Sequence, residues 1–200
     1  MHRTLGVATS ASVATRHPPA VPFMKGKIVI VPLGESDFLE LNRLAAHLAQ
    51  VFACAVDILS GARVPEEAYS PVRGQYFAMI LLQKLELLRS GDREKIIALV
   101  DEDLFTPDRA WVIGASDRIA GTSIISTHRL RQEYFGLEDE EEVVYHRTCK
   151  EAVHQLGHLF GMRSCRNPRC AMFTTERMQD IDVKREKFCD NCLRLIGRKV

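Results

Sequence analysis

Hydrophobic runs rich in β-branched residues predict a series of short strands along the chain. The run KIVIVPL at 27–33 is typical of a strand buried on both faces, and 54–59 and 95–100 repeat this character. Two shorter segments, 111–115 and 122–127, are also predicted to be strands, and the second alternates apolar and polar residues. The strands are separated by segments with helical periodicity.

Two helices are predicted between the first three strands. Asp37, with Glu40 three residues later, forms a capping pattern at the start of a helix that runs to about residue 52. A second helix is predicted over 75–90, where Gly91 provides its end. The order β-α-β-α-β-β-β predicts an α/β fold in which a mixed sheet is backed by helices.

A third helix, over 143–160, carries the strongest chemical signal. His154 and His158 are four residues apart, so they lie one above the other on the same face, at the spacing at which two imidazoles bind one zinc ion. Tyr145, Leu156 and other apolar residues gather on the opposite face, and Gly161 ends the helix. Two histidines on a solvated face are the alternative, but the cysteines that follow favour zinc.

Four cysteines after this helix form two close pairs. Cys165 and Cys170 are separated by four residues, and Cys189 and Cys192 by two. This spacing predicts a closed structural zinc site of four thiolates. Two disulfides are the alternative, but the chain shows no secretory context that would favour them.

Composition limits the functional classes. Two hundred residues with 46% hydrophobic content suit one domain with a small appended module. A net charge of +1 argues against a general nucleic-acid binder, and no apolar run is long enough to span a membrane. Residues 1–23 lack periodicity and the apolar core of a signal peptide, so they are predicted to be disordered.

Together, the histidine and cysteine motifs resemble the archaemetzincin family of zinc metallopeptidases. The family signature opens with His-Glu-x-x-His-x-x-Gly, continues with a cysteine pair spaced by four and a methionine two residues later, and ends with Cys-x-x-Cys. The matching residues of this chain are His154, Gln155, His158, Gly161, Cys165, Cys170, Met172, Cys189 and Cys192. The resemblance covers roughly the last fifty residues.

The resemblance implies a metzincin-like catalytic domain over 24–200 that binds two zinc ions. Residues 24–161 would form an upper subdomain that contains the active-site helix, and 162–200 a small C-terminal subdomain stabilised by the four-cysteine zinc. His154 and His158 would hold the catalytic zinc, and Met172 would lie in a turn beneath it. The segment 121–128 would pair with a peptide substrate as an extra strand at the rim of the cleft.

Two residues depart from the family pattern. Gln155 stands where the family has a glutamate that acts as general base, and an amide cannot usefully accept a proton. This indicates either a naturally weak enzyme or a chain in which the glutamate has been exchanged. Ser164 stands where metzincins place a third histidine, so water, a bound peptide, His128 or His146 would have to complete the metal shell.

The sequence therefore predicts a zinc metallopeptidase that acts on peptides or proteins, with activity reduced by Gln155. The alternative is a catalytically inactive, zinc-containing peptide-binding protein of the same fold. A third possibility, a zinc-ribbon interaction protein with incidental histidines, is disfavoured by the amphipathic helix that carries the histidines. We expect a cytoplasmic monomer that binds neither nucleic acid nor membrane.

Overall fold

The computed structural model describes residues 26–196, and the segment 1–23 that the sequence predicts to be disordered lies outside this range. The strands of the described part are β1 (Lys27–Leu33), β2 (Val56–Ile58), β3 (Tyr69–Ser70), β4 (Gln75–Phe77), β5 (Glu94–Val100), β6 (Leu104–Thr106), β7 (Arg109–Val112), β8 (Gly114–Asp117) and β9 (Thr122–Ser126). Its α-helices are α1 (Phe38–Phe52), α2 (Ala78–Glu86), α3 (Glu141–Leu159), α4 (Met178–Val183) and α5 (Asp190–Leu195).

A five-stranded mixed sheet forms the centre of the fold, in the order β2-β1-β5-β9-β8. The first four strands run parallel, and β8 pairs with β9 in the antiparallel direction. The helices that connect parallel strands pack on the two faces of the sheet, so the strands are buried on both sides and must be apolar on both. The apolar runs of β1 and β5, predicted from the sequence, meet this requirement.

The two faces of the sheet belong to two apolar clusters. Ile28 and Ile30 point toward α1, α3 and the C-terminal segment, whereas Val29 and Val31 point toward α2 and the smaller sheet. This is the alternation expected for consecutive strand residues. The first cluster also includes Met172 and Phe188, so the C-terminal segment packs on the main core. No helix within residues 26–196 is long and apolar enough to cross a membrane.

A second, four-stranded sheet in the order β3-β4-β6-β7 is absent from the sequence prediction. The helix predicted over 75–90 is wrong at both ends, because residues 75–77 form β4 and α2 ends at Glu86, before Gly91. Tyr76 pairs with Tyr69 on one side and with Leu104 on the other. Leu104 is 28 residues away in sequence, so helical periodicity could not reveal this pairing.

The strand predicted over 111–115 is in fact two strands in two different sheets. β7 ends at Val112 and β8 begins at Gly114, so the chain changes sheets at Ile113. As a result β8, not the segment 121–128, is the edge of the central sheet, and β9 lies between β5 and β8. The prediction that 121–128 pairs with a peptide is therefore wrong, since both edges of β9 are already paired.

Candidate active site and metal centres

Helix α3 holds the two histidines at the predicted spacing and buries more of its surface than the amphipathic pattern suggested. All residues from Glu151 to Gly157 are buried, because the C-terminal segment covers the face that the sheet leaves open. The helix ends at Leu159, and Gly161 follows with a φ of +89°, as expected for a glycine stop. A buried helix therefore positions the histidine side chains.

The Nε2 atoms of His154 and His158 lie 3.1 Å apart. Both could reach one zinc ion at the usual distance of about 2.0–2.1 Å. Each Nδ1 faces a backbone carbonyl, Ala171 O at 2.8 Å for His154 and Met162 O at 3.0 Å for His158. Donation from Nδ1 to these carbonyls leaves each Nε2 with a free lone pair, as in histidines that bind metals.

The protonation state of His154 also suits a metal ligand. Burial lowers the pKa of His154, so its imidazole is neutral near pH 7. A neutral imidazole is the form that coordinates a cation. The donor chemistry of the two residues therefore fits a zinc ion.

Met172 is fully buried beneath the turn of α3 that joins the two histidines. A Cβ atom added at Gly157 would lie 2.3 Å from Met172 Sδ, closer than side chains approach one another. Glycine at 157 thus lets the methionine pack directly against the helix backbone. Met172 therefore lies against the helix turn between the two histidines, and its role in a turn beneath a catalytic zinc stays a prediction.

Gln155 is buried beside Glu151, a residue that the sequence analysis did not identify. Gln155 Nε2 donates a hydrogen bond to Glu151 Oε1 at 2.6 Å. Glu151 Oε2 has no hydrogen-bond partner, and Lys184 Nζ, also without a hydrogen bond, lies 4.0 Å away. The spacing of four residues between Glu151 and Gln155 on a helix is the sequence signal that could have revealed the pair.

The cavity beside this network has a volume of about 320 Å³. It is lined by residues 109–114 of the β7–β8 segment, by Glu151, His154 and Gln155 of α3, and by residues 174–176 after Met172. Gly114 approaches Gln155 so closely that a Cβ there would lie 2.7 Å from Gln155 Nε2. A side chain at position 114 would therefore have to displace the Gln155 amide.

Among the described residues, no third protein ligand accompanies the two histidines. Ser164 is exposed, and His128 instead packs against the ring of Tyr134. His146 Nδ1 lies 2.5 Å from Glu186 Oε1. Within residues 26–196, His154 and His158 belong to no cluster of three potential metal-ligand side chains. The predicted metal shell is thus limited to two imidazoles from the described chain.

The four cysteines come together as the spacing predicts. Their Sγ atoms all lie within 4.8 Å of one another. The Sγ distance is 3.8 Å between Cys165 and Cys189 and 3.7 Å between Cys170 and Cys192. Four sulfurs placed tetrahedrally at about 2.3 Å from a zinc ion have nearly this separation. All six cysteines of the chain are free thiols, so the disulfide alternative is not realised.

Comparison with known proteins places these motifs in a family context. The model of "Peptidase family M54" matches residues 47–198. The chain is 31% identical over 183 residues to the archaemetzincin of Pyrococcus furiosus, covering 88% of this chain and 95% of the relative. It is 35% identical over 170 residues to the archaemetzincin of Natronomonas pharaonis, covering 84% and 97%.

The fold is also similar to a solved structure. The crystal structure of a zinc-dependent peptidase from Methanocorpusculum labreanum superposes with a TM-score of 0.78 at 28% identity. The similarity covers 85% of this chain and all of that one.

Proposed function

The chain belongs to peptidase family M54, the archaemetzincins, which are zinc-dependent metallopeptidases, and we therefore propose that it cleaves peptide bonds slowly with a zinc ion held by His154 and His158. The observation that carries the proposal is the pair of Nε2 atoms 3.1 Å apart. Each Nε2 is left free by a hydrogen bond from Nδ1 to a backbone carbonyl, and His154 lines the cavity. We also propose that a second zinc ion occupies the four-cysteine cluster and has a structural role.

A peptide substrate would enter along β8. This strand has a free edge in the central sheet, and Gly114 at its start lines the cavity beside Gln155. An extended peptide can add to such an edge as a further strand through its backbone hydrogen bonds. The peptide bond to be cleaved would then lie close to the two imidazoles.

The two histidines and Gln155 would have different roles in peptide-bond cleavage. A zinc ion held by the imidazoles would polarise the substrate carbonyl and lower the pKa of a bound water. Gln155 occupies the general-base position, but its amide can only orient a neighbouring group by hydrogen bonding. Since general-base catalysis contributes about 10²–10⁴-fold, slow turnover is expected.

The alternative function, a zinc-containing protein that binds peptides without cleaving them, has one specific observation in its favour. The Gln155 amide donates to the buried Glu151 carboxylate, and Lys184 lies on the other side of that carboxylate. The neighbours of residue 155 therefore complement an amide, whereas a carboxylate at this position would meet like charge.

One experiment separates the two functions. The zinc-loaded chain is incubated with a broad peptide library, and cleavage is measured by mass spectrometry while binding is measured by fluorescence anisotropy. Zinc-dependent cleavage that is lost in His154→Ala and kept in His128→Ala would support the peptidase. Zinc-dependent binding without cleavage would support the alternative, and the absence of both would contradict each proposal.

A further inference from the structure

A second group of metal-ligand atoms lies on the opposite side of α3 from the cavity, outside both predicted zinc centres. It consists of His47 on α1, Cys149 on α3 and Glu186 in the segment between α4 and α5. One ligand atom of each residue lies within 4.8 Å of the other two. The three residues come from distant parts of the chain and meet only in the folded protein.

The ring of His47 is oriented as in a metal ligand. Its Nε2 lies 3.1 Å from the backbone carbonyl oxygen of Glu186, to which it can donate a hydrogen bond. Its Nδ1 faces the Glu186 carboxylate, with Oε2 at 3.8 Å. A bond from one ring nitrogen to a carbonyl fixes the tautomer and leaves the lone pair of the other nitrogen free for a cation.

Cys149 supplies a sulfur at the buried side of the group. Its side chain is fully buried, and this burial raises the pKa of the thiol to about 12. A hydrogen bond from the Tyr145 hydroxyl acts in the opposite direction and lowers the pKa, but its effect is smaller. A buried cysteine surrounded only by apolar groups would be ordinary packing. Here the sulfur faces a hydroxyl, an imidazole and a carboxylate, which is an arrangement suited to a thiolate bound to a cation.

Glu186 is held in place by a second histidine. His146 Nδ1 lies 2.5 Å from Glu186 Oε1, and this contact leaves Oε2 directed toward His47. His47 and Glu186 also line a cavity of about 600 Å³ that opens to solvent. The group therefore has one buried side, formed by the thiol, and one side that water can reach.

We propose that His47, Cys149 and Glu186 form a third zinc site, in which a water molecule or an exogenous ligand from the cavity completes a tetrahedral shell. One imidazole, one thiolate and one carboxylate suit a borderline-soft divalent cation better than calcium or magnesium, which prefer oxygen ligands. The basic residues that line the cavity weaken its attraction for cations; they are Lys150, Lys184, Arg185 and Lys187. It should therefore fill after the four-cysteine site.

Cobalt titration tests this site separately from the others. The full-length chain, reduced and free of oxygen, is first given one equivalent of zinc, which the four thiolates retain because zinc binds such ligands more tightly than cobalt. Cobalt is then added, and thiolate-to-cobalt charge-transfer absorption is recorded. The His154–His158 pair contains no sulfur, so cobalt bound there gives no such band, and the band reports a cysteine outside the four-thiolate cluster.

Two pairs of variants make the test decisive. Cys149→Ala should abolish the band, whereas Cys54→Ala, which removes the other cysteine outside the cluster, should retain it. Glu186→Gln should weaken cobalt binding by at least ~10-fold, whereas Glu133→Gln should leave it unchanged. Circular dichroism before cobalt addition checks that each variant is folded. Absence of the band in the parent chain, or its persistence in Cys149→Ala, would overturn the proposal.

Discussion

Replacing Gln155 by glutamate tests both the chemistry of the active site and the importance of its buried neighbours. In the parent chain Gln155 Nε2 donates to Glu151 Oε1 at 2.6 Å, and both residues are buried. The variant has nearly the same shape but brings two carboxylates to hydrogen-bond distance. Lys184, at 4.0 Å from the other oxygen of Glu151, offsets only part of the added charge.

The expected effect follows from this separation. Two unit charges about 3 Å apart repel by ~5 kcal/mol at an effective dielectric constant of about 20. This repulsion raises the pKa of the carboxylate pair in the variant well above the ordinary value of a glutamate. The pair would therefore share a proton in the folded protein, as carboxylate dyads do.

The sign of the pH dependence can be worked out directly. The pKa of glutamate is about 4.3 in the unfolded chain and higher in the folded variant, so the folded state binds the additional proton in between. The free energy of unfolding of the variant should then fall, relative to the parent, as pH rises through this window. The loss should be roughly 2–3 kcal/mol between pH 5 and pH 7. Denaturant unfolding at both pH values measures it.

Catalysis should show the opposite trend with pH. The new carboxylate can act as general base only when it is unprotonated, so peptidase activity should increase with pH and exceed that of the parent by ~10² or more. Activity is measured on zinc-loaded protein across pH 5–9, within the range in which the variant remains folded. The parent, which has an amide at this position, provides the baseline.

A residue swap provides the matched control. Glu151→Gln combined with Gln155→Glu restores an amide–carboxylate pair with the partners exchanged. Lys184→Met accompanies the swap, because the buried ammonium would otherwise lose its carboxylate neighbour. This variant should gain activity without the decrease in stability at higher pH. Parallel pH–stability curves for the parent and Gln155→Glu would refute the argument, and an inert glutamate form with full zinc would favour the peptide-binding function.

Three further predictions concern the metals and the packing beneath them. Mild chelation should remove the zinc held by two imidazoles before the zinc held by four thiolates. Metal analysis should then record the loss of the more weakly bound ion while the circular dichroism spectrum stays unchanged. Simultaneous release of both ions would contradict this prediction. Cys189→Ser should lower the melting temperature far more than His154→Ala, because the binding energy of a structural zinc contributes directly to folding; equal shifts in calorimetry would refute the assigned roles. Gly157→Ala should lower the free energy of unfolding by about 1–3 kcal/mol in denaturant titration, because the new methyl group meets Met172 Sδ. A variant more stable than the parent would show that the methionine side chain moves aside freely.

The sequence by itself predicts the parts of the fold that depend on local pattern. The apolar runs of β1 and β5, the capped helix α1 and the helix that carries His154 and His158 were all predicted close to their observed bounds. The cysteine spacing likewise predicted the four-thiol cluster. These features can be predicted from the sequence because each depends on side chains only a few residues apart, which belong to the same helix or strand or bind the same metal ion.

Tertiary structure alone determines the features that depend on distant partners. Residues 75–77 form a strand because Tyr76 pairs with Leu104 of the distant strand β6, although their periodicity suggests a helix. The edge of the central sheet is β8 because the chain changes sheets at Ile113, which no local pattern encodes.

The environment of the active site has the same origin. Glu151 is buried with Gln155 because the C-terminal segment covers α3 and brings Lys184 beside it. His47, Cys149 and Glu186 meet because α1, α3 and that same segment pack against one another. The burial and the charge environment of these residues depend on which segments of the chain cover them. The packing of the whole core determines those segments.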